Sequence, residues 1–227
     1  DLHSFPTRRS SDLGLYWVSR DLGDTLSLLL PRGEHILVPG SFSAGGRILA
    51  YTELNPRTLG DLWTLSIDDG STTPLLRTPF NERTPMFSPD GGWLAFASDI
   101  SGRDEVYVQA FPGPGAPVQV SDRGGREPLW SRDGKEIFYR SEYAVMAVPV
   151  QTEGPFAAGR PTRLFEDSYA REHKGRSNYD VGSDGRFVMV KTQAASSSVR
   201  LGILVNWLGE IEDLVSSGPE GGGGGVP

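Results

Sequence analysis

Residues 87–96 read FSPDGGWLAF, and copies of that phrase stand at 42–51 (FSAGGRILAY), 130–139 (WSRDGKEIFY) and 181–190 (VGSDGRFVMV). Their starts lie 45, 43 and 51 residues apart, a period that suits a repeat built from one small sheet. Three copies centre on an aspartate followed by glycine: Asp90 with Gly91, Asp133 with Gly134, and Asp184 with Gly185. Aspartate accepts hydrogen bonds from the backbone of its own turn, and glycine takes the positive φ of a tight hairpin. Each copy is therefore expected to turn a corner between two strands. The first copy carries Ala44, Gly45 and Gly46 there, and is expected to keep the bend without the carboxylate cap.

After each turn the chain is apolar on both faces of a strand. Leu94 and Phe96 alternate with Trp93 and Ala95, and Val188 and Val190 with Phe187 and Met189. A sheet covered on both sides without crossover helices fits a blade sandwiched between neighbouring blades. A third strand is predicted at 61–65 (DLWTL), 105–109 (EVYVQ) and 144–148 (AVMAV), and a fourth at 73–77, 117–120 and 163–165. No stretch carries the 3.6-residue period of an amphipathic helix. The expected class is all-β, a propeller of four-stranded antiparallel blades.

By these residues the chain resembles the TolB-like, WD-type β-propeller repeats of bacteria, whose motif runs aromatic, Ser, Pro, Asp, Gly and then an apolar strand. Residues 87–91 match it in full. Arg132 replaces the proline in the third copy, and Gly182 the serine in the fourth. The resemblance covers about residues 14–210. Within that group the wording LAYTELNP (49–56), DEVYVQAFPGPG (104–115) and YDV (179–181) is most similar to propellers fused behind serine/threonine kinase domains in soil bacteria. It implies a bacterial, kinase-associated sensor or interaction module, working in the periplasm or another extracytoplasmic space.

Residues 14–212 make about four to five blades at this period, and propellers close with roughly four to eight. An incomplete ring is expected, the C-terminal piece of a larger protein, whose exposed end blades favour association. Residues 4–13 (SFPTRRSSDL) read like a translated sequencing adapter, so 1–13 are set apart as adapter-derived or disordered. Residues 213–227, with five consecutive glycines, read as a flexible tail.

Composition narrows the chemistry. Glycine (29) and proline (17) are scattered between short apolar runs, as a turn-rich β protein requires. A net charge of −7 with no cluster of lysine or arginine disfavours nucleic acid. Cysteine is absent, which excludes disulfides, thiolate metal sites and a cysteine nucleophile. The longest apolar runs, 26–30 and 203–208, fall short of the roughly 20 residues of a membrane helix, so no membrane span is read. Neither Ser43 nor Ser217 has the glycine spacing of a nucleophile elbow. His3, His35 and His173 have no spaced partners for zinc. No phosphate loop, dinucleotide fingerprint or kinase catalytic phrase occurs. The expectation is no enzyme and no cofactor. Asp99 and Asp104, in the loop 98–105 (SDISGRDE), do not match the twelve-residue calcium loop and are expected to cap a hairpin.

Surface candidates stand just before each innermost strand. Arg83 and Pro85 line up with Arg126 and Pro128, and Asn178 and Tyr179 follow in the fourth copy. In a propeller these starts border the central channel. Glu82, Arg83, Arg126, Glu127 and Tyr179 are the candidate contacts for a protein or peptide ligand; the competing expectation is that the charges pair between blades. The function expected is a non-catalytic binding or scaffold module. The alternatives are a periplasmic TolB-like envelope protein and the gating propeller of a prolyl-oligopeptidase-like peptidase whose catalytic domain lies outside this chain.

Overall fold

The computed structural model describes residues 14–18, 26–31, 33–170, 177–191 and 202–203, and all its regular structure is β. The segments 1–13 and 213–227 lie outside the described residues, as do His3 and His173. Five antiparallel sheets follow one another along the chain. The first pairs β1 (Gly14–Val18) with β2 (Leu26–Pro31). The second is a meander of β3 (Ile36–Phe42), β4 (Ile48–Asn55), β5 (Leu59–Ser66) and β6 (Thr72–Leu76). The third repeats it with β7 (Arg83–Phe87), β8 (Trp93–Ser98), β9 (Glu105–Ala110) and β10 (Val118–Gln119). The fourth holds β11 (Arg126–Trp130), β12 (Glu136–Arg140) and β13 (Ala144–Gln151), with β14 (Ala157–Ala158) and β15 (Thr162–Glu166) both on β13. The fifth comprises β16 (Tyr179–Val181), β17 (Phe187–Lys191) and β18 (Gly202–Ile203).

The predicted third and fourth strands coincide with β5, β9 and β13 and with β6, β10 and β15. Strands β1, β2, β14 and β18 were not among those predicted. At eight residues β13 is long enough to pair β15 along its first half and the short β14 along its end.

The repeated phrase folds as its turn chemistry requires. Gly46, Gly91, Gly134 and Gly185 take φ of 68°, 75°, 71° and 78° at the four bends. Asp133 Oδ1 accepts from the Lys135 N–H (3.2 Å) and from the Ser131 hydroxyl (2.7 Å), and Asp90 accepts likewise from Gly92 N–H (3.0 Å) and the Ser88 hydroxyl. The serine oxygen in turn accepts the N–H five residues on: Ile48 at 3.3 Å, Trp93 at 3.0 Å and Glu136 at 2.9 Å. The first turn thus keeps a side-chain cap from Ser43 even though its aspartate is missing.

The core lies in layers between sheets, because the inner strands such as β8 and β9 are buried on both faces. Leu94 and Phe96 pack with Ala50 and Leu62 of the second sheet, while Ala95 and Val106 pack with Ile137 and Tyr139 of the fourth. Trp130 Nε1 donates to the Met86 carbonyl (3.0 Å), fastening the third sheet to the fourth at a buried indole. In the fifth sheet Phe187 and Met189 join Phe138 and Val145, but Val188 on the other face is exposed. Among the described residues these blades do not close a ring. Among the described residues no helix is long and apolar enough to cross a membrane.

Candidate functional site

The up-and-down order of each sheet divides its connections between two ends. One end carries the Asp-Gly turns. The other carries the second hairpins of the second, third and fourth sheets (residues 56–58, 99–104 and 141–143) and the loops from sheet to sheet (77–82 and 120–125). All five candidate residues stand at this second end, at the start of an innermost strand or one residue before it.

Their surroundings differ. Glu82, Glu127 and Tyr179 are buried, Arg83 is half-buried and Arg126 is exposed. Both arginines reach the same carboxylate: Arg83 Nη2 bonds Asp104, and Arg126 Nε lies 2.6 Å from Asp104 Oδ2. Asp104 belongs to the third sheet and Arg126 to the fourth, so this is a pairing between blades. Asp99 Oδ1 accepts the Asn81 N–H at 2.9 Å, and both loop carboxylates are thereby turned toward protein donors. Glu105, buried at the start of β9, accepts from Gly124 N–H (3.0 Å), the Ser121 hydroxyl and Arg103 Nε (2.6 Å).

The joint between the fourth and fifth sheets is built on Arg140, which the repeat reading did not single out. Its guanidinium is buried and holds Asp167 with two parallel bonds, Nε to Oδ2 at 2.7 Å and Nη2 to Oδ1 at 2.8 Å. Nη1 donates to Asn178 Oδ1 (2.6 Å) and to the Ala170 carbonyl (2.9 Å), and lies 3.5 Å from Glu127 Oε2 as an ion pair. The guanidinium also lies 5.8 Å from the centre of the Tyr179 ring, whose hydroxyl donates to the Glu127 carbonyl at 2.7 Å. Burial pushes the Glu127 carboxyl above the usual carboxylate range, against the pull of Arg140. Burial also raises the Tyr179 phenol well above its ordinary value.

Between the second and third sheets the same end is acidic. Glu82 N–H donates to the Gly60 carbonyl (2.9 Å), and Asn81 Oδ1 accepts the Gly60 N–H (3.0 Å). A Cβ on Gly60 would stand 2.3 Å from the Glu82 carbonyl oxygen, so only glycine lets the two sheets meet there. The Glu82 carboxylate takes the Thr78 hydroxyl, but its Oε2 and the Oδ1 of buried Asp61 have no hydrogen-bond partner among the described residues. Burial, followed by the charges of Asp61 and Asp99, raises the Glu82 carboxyl above its ordinary value.

What this end offers to solvent is therefore mainly its turns. Each second hairpin displays one large apolar side chain: Leu59 (52% exposed), Ile100 (46%) and Tyr143 (70%), with Phe80 (37%) in the loop between the second and third sheets. Leu59 takes φ of 69°, a conformation that favours glycine or asparagine. An apolar residue inside an otherwise polar turn was the sequence signal for this row. Among the described residues no group of histidine and acidic side chains is placed to hold a metal ion.

No protein-family model matches the chain, and no curated protein does. Solved structures do. TolB from Acinetobacter baumannii aligns at 18% identity over 79% of this chain and 43% of its own, with a TM-score of 0.54. An oligogalacturonate lyase solved with manganese aligns at 13% identity over 78% and 50%, with a TM-score of 0.52. A puromycin-hydrolysing peptidase from Mycobacterium tuberculosis aligns at 18% identity over 77% and 30%, with a TM-score of 0.50. The chain spans half or less of the length of each. Proteins so different in activity share the backbone arrangement alone, and the fold of this chain is that of a β-propeller.

Proposed function

We propose that this chain is the propeller portion of a larger bacterial protein and works as a non-catalytic binding or scaffold module. Its partner is a protein or peptide, taken at the end that carries the second hairpins. The observation that supports this reading is the row of exposed apolar side chains on successive turns, Leu59, Ile100 and Tyr143, at the end where the neighbouring charges are occupied in holding sheets together. Loops on a rigid β scaffold are where binding residues concentrate.

A photocrosslinking residue placed at Ile100 or Tyr143 should give a discrete protein adduct in cells, and one placed at Asp133, on the opposite end, should not. Adducts from Asp133 alone would overturn the choice of end. The kinase-linked form of this reading rests on the wording of 49–56, 104–115 and 179–181. Sequencing the locus upstream of Gly14 separates it from the alternatives. A kinase domain supports a sensor, and a signal peptide with further blades supports a TolB-like envelope protein. The gating-propeller alternative requires a hydrolase domain elsewhere in the gene.

A further inference from the structure

We infer that the inner edge of the first sheet takes a β-hairpin of the repeated kind, whose second strand lies antiparallel to β1 and sets a small side chain against Phe42. The inference rests on the part of the proposed function that makes this chain a portion of a larger protein, which supplies the hairpin. The first sheet holds two strands where the second and third hold four. Its place in the series identifies them. β1 approaches β3 as β5 approaches β7 and β9 approaches β11, which makes it a third strand and makes β2 the outermost. β7 is also met by β3 and β4 of the preceding sheet, and β11 by β7 and β8. Among the described residues no first and second strands of a preceding sheet stand beside β3 in this way, and β1 has no strand on the edge away from β2. A cavity of about 340 Å³ lies between the two sheets, lined by Leu15, Tyr16 and Leu29 of the first and by Pro39, Phe42 and Leu49 of the second. An open strand edge beside apolar side chains is a template for strand addition.

The chain shows three times what belongs in such a space. Between successive sheets, the first residue of one copy of the phrase packs in a common cluster with the ninth residue of the copy before it. Phe87 lies with Ala50, Trp130 with Ala95, and Val181 with Phe138. Large meets small at the first two joints and small meets large at the third, so the joint keeps its volume while its residues change. Phe87 and Trp130 are 6% and 7% exposed, whereas Phe42, which opens its own copy, is 42% exposed. A preceding hairpin with alanine or glycine at its ninth position matches the large Phe42 as Ala50 matches Phe87. A second copy of this chain is a poor donor, because among the described residues its hairpins are in use: β3 with β4, β7 with β8 and β11 with β12 lie inside larger sheets, and β17 carries β18.

The test grafts a duplicate of residues 83–104, the first hairpin of the third sheet with its following loop, directly ahead of Gly14 in place of residues 1–13. Hydrogen exchange of the β1 amides should slow at least about tenfold, and the urea midpoint should rise. A duplicate carrying Ala95→Phe should protect β1 about fivefold less, and Phe42→Val in the body of the chain should restore that protection. β1 exchange unchanged by both grafts would overturn the inference. Equal protection by both grafts, whether residue 42 is phenylalanine or valine, would overturn the contact with Phe42. Protection of β1 in the ungrafted chain that grows with protein concentration would assign the edge to a second copy and overturn the choice of donor. Failure of the graft leaves the crosslinks at Ile100 and Tyr143 as they were, and loss of those crosslinks while the graft protects β1 would overturn the binding reading alone.

Discussion

Two joints at the same end of the blades solve one problem in opposite ways. Between the fourth and fifth sheets, buried Arg140 meets Asp167, Glu127 and Asn178, so its charge is paired on every side. Arg140 directly follows the repeated phrase; at the same position the second sheet has Thr52. There no cation is ion-paired with buried Glu82 or Asp61 among the described residues, and each keeps an oxygen without a hydrogen-bond partner, as Glu127 Oε2 does at the cationic joint. Burying an unpaired charge is costly, and burial raises the Glu82 carboxyl above its ordinary range. The comparison teaches that the backbone plan is repeated while the chemistry of the joint is not. One joint depends on a cation and the other on a proton.

The largest effect is expected from breaking the cationic joint. Arg140→Met should cost about 3–5 kcal/mol in urea unfolding, because the buried Asp167 carboxylate loses the guanidinium that bonds both its oxygens. Adding Asp167→Leu should recover part of the loss, and no recovery would assign the cost to the Tyr169 and Ala170 carbonyls, to which Arg140 also donates. Next, Gly60→Ala should loosen the acidic joint by about 1–3 kcal/mol, since its Cβ would stand 2.3 Å from a backbone oxygen. An unchanged melting temperature would show that the two sheets do not meet there. The smallest effect should be a gain: Leu59→Asn relieves a positive φ and should stabilise by about 0.5–1 kcal/mol. Weaker crosslinking from Ile100 should accompany it, separating a strained contact from a merely strained turn.

The turns were legible because their causes are local. A serine, an aspartate and a glycine within five residues determine a hairpin wherever they occur, and the period then places one in each blade. The joints were not, because their partners are far apart in the chain. Arg140 bonds Asp167 across 27 residues and Asn178 across 38. A single arginine just beyond an apolar strand carried a faint signal, since a charge there must be buried with a partner. Glu82, Glu127 and Tyr179 stood out in the sequence as possible contacts, and the structure turns all three inward. Arg126 pairs with Asp104 of the neighbouring blade, as the competing expectation had it, whereas Arg83 meets the same carboxylate within its own blade. The apolar turn residues went unread because Leu59, Ile100 and Tyr143 follow no shared spelling; only the stacked sheets bring them to one end.

The measurement that tests the contrast between the joints most directly is urea unfolding of the unaltered chain and of Glu82→Gln from pH 4 to pH 8. The folded-state carboxyl lies above its ordinary value of 4.5, so the folded chain binds this proton more tightly than the unfolded one. The stability due to Glu82 is therefore whole below pH 4.5 and falls as pH rises toward the folded-state value. Glutamine imitates the protonated acid and still accepts from Thr78. The account predicts that the two curves meet near pH 4 and separate above it, with Glu82→Gln the more stable at pH 7. A variant less stable at pH 7, or curves that run parallel throughout, would contradict it and assign to Glu82 a charge that the fold requires.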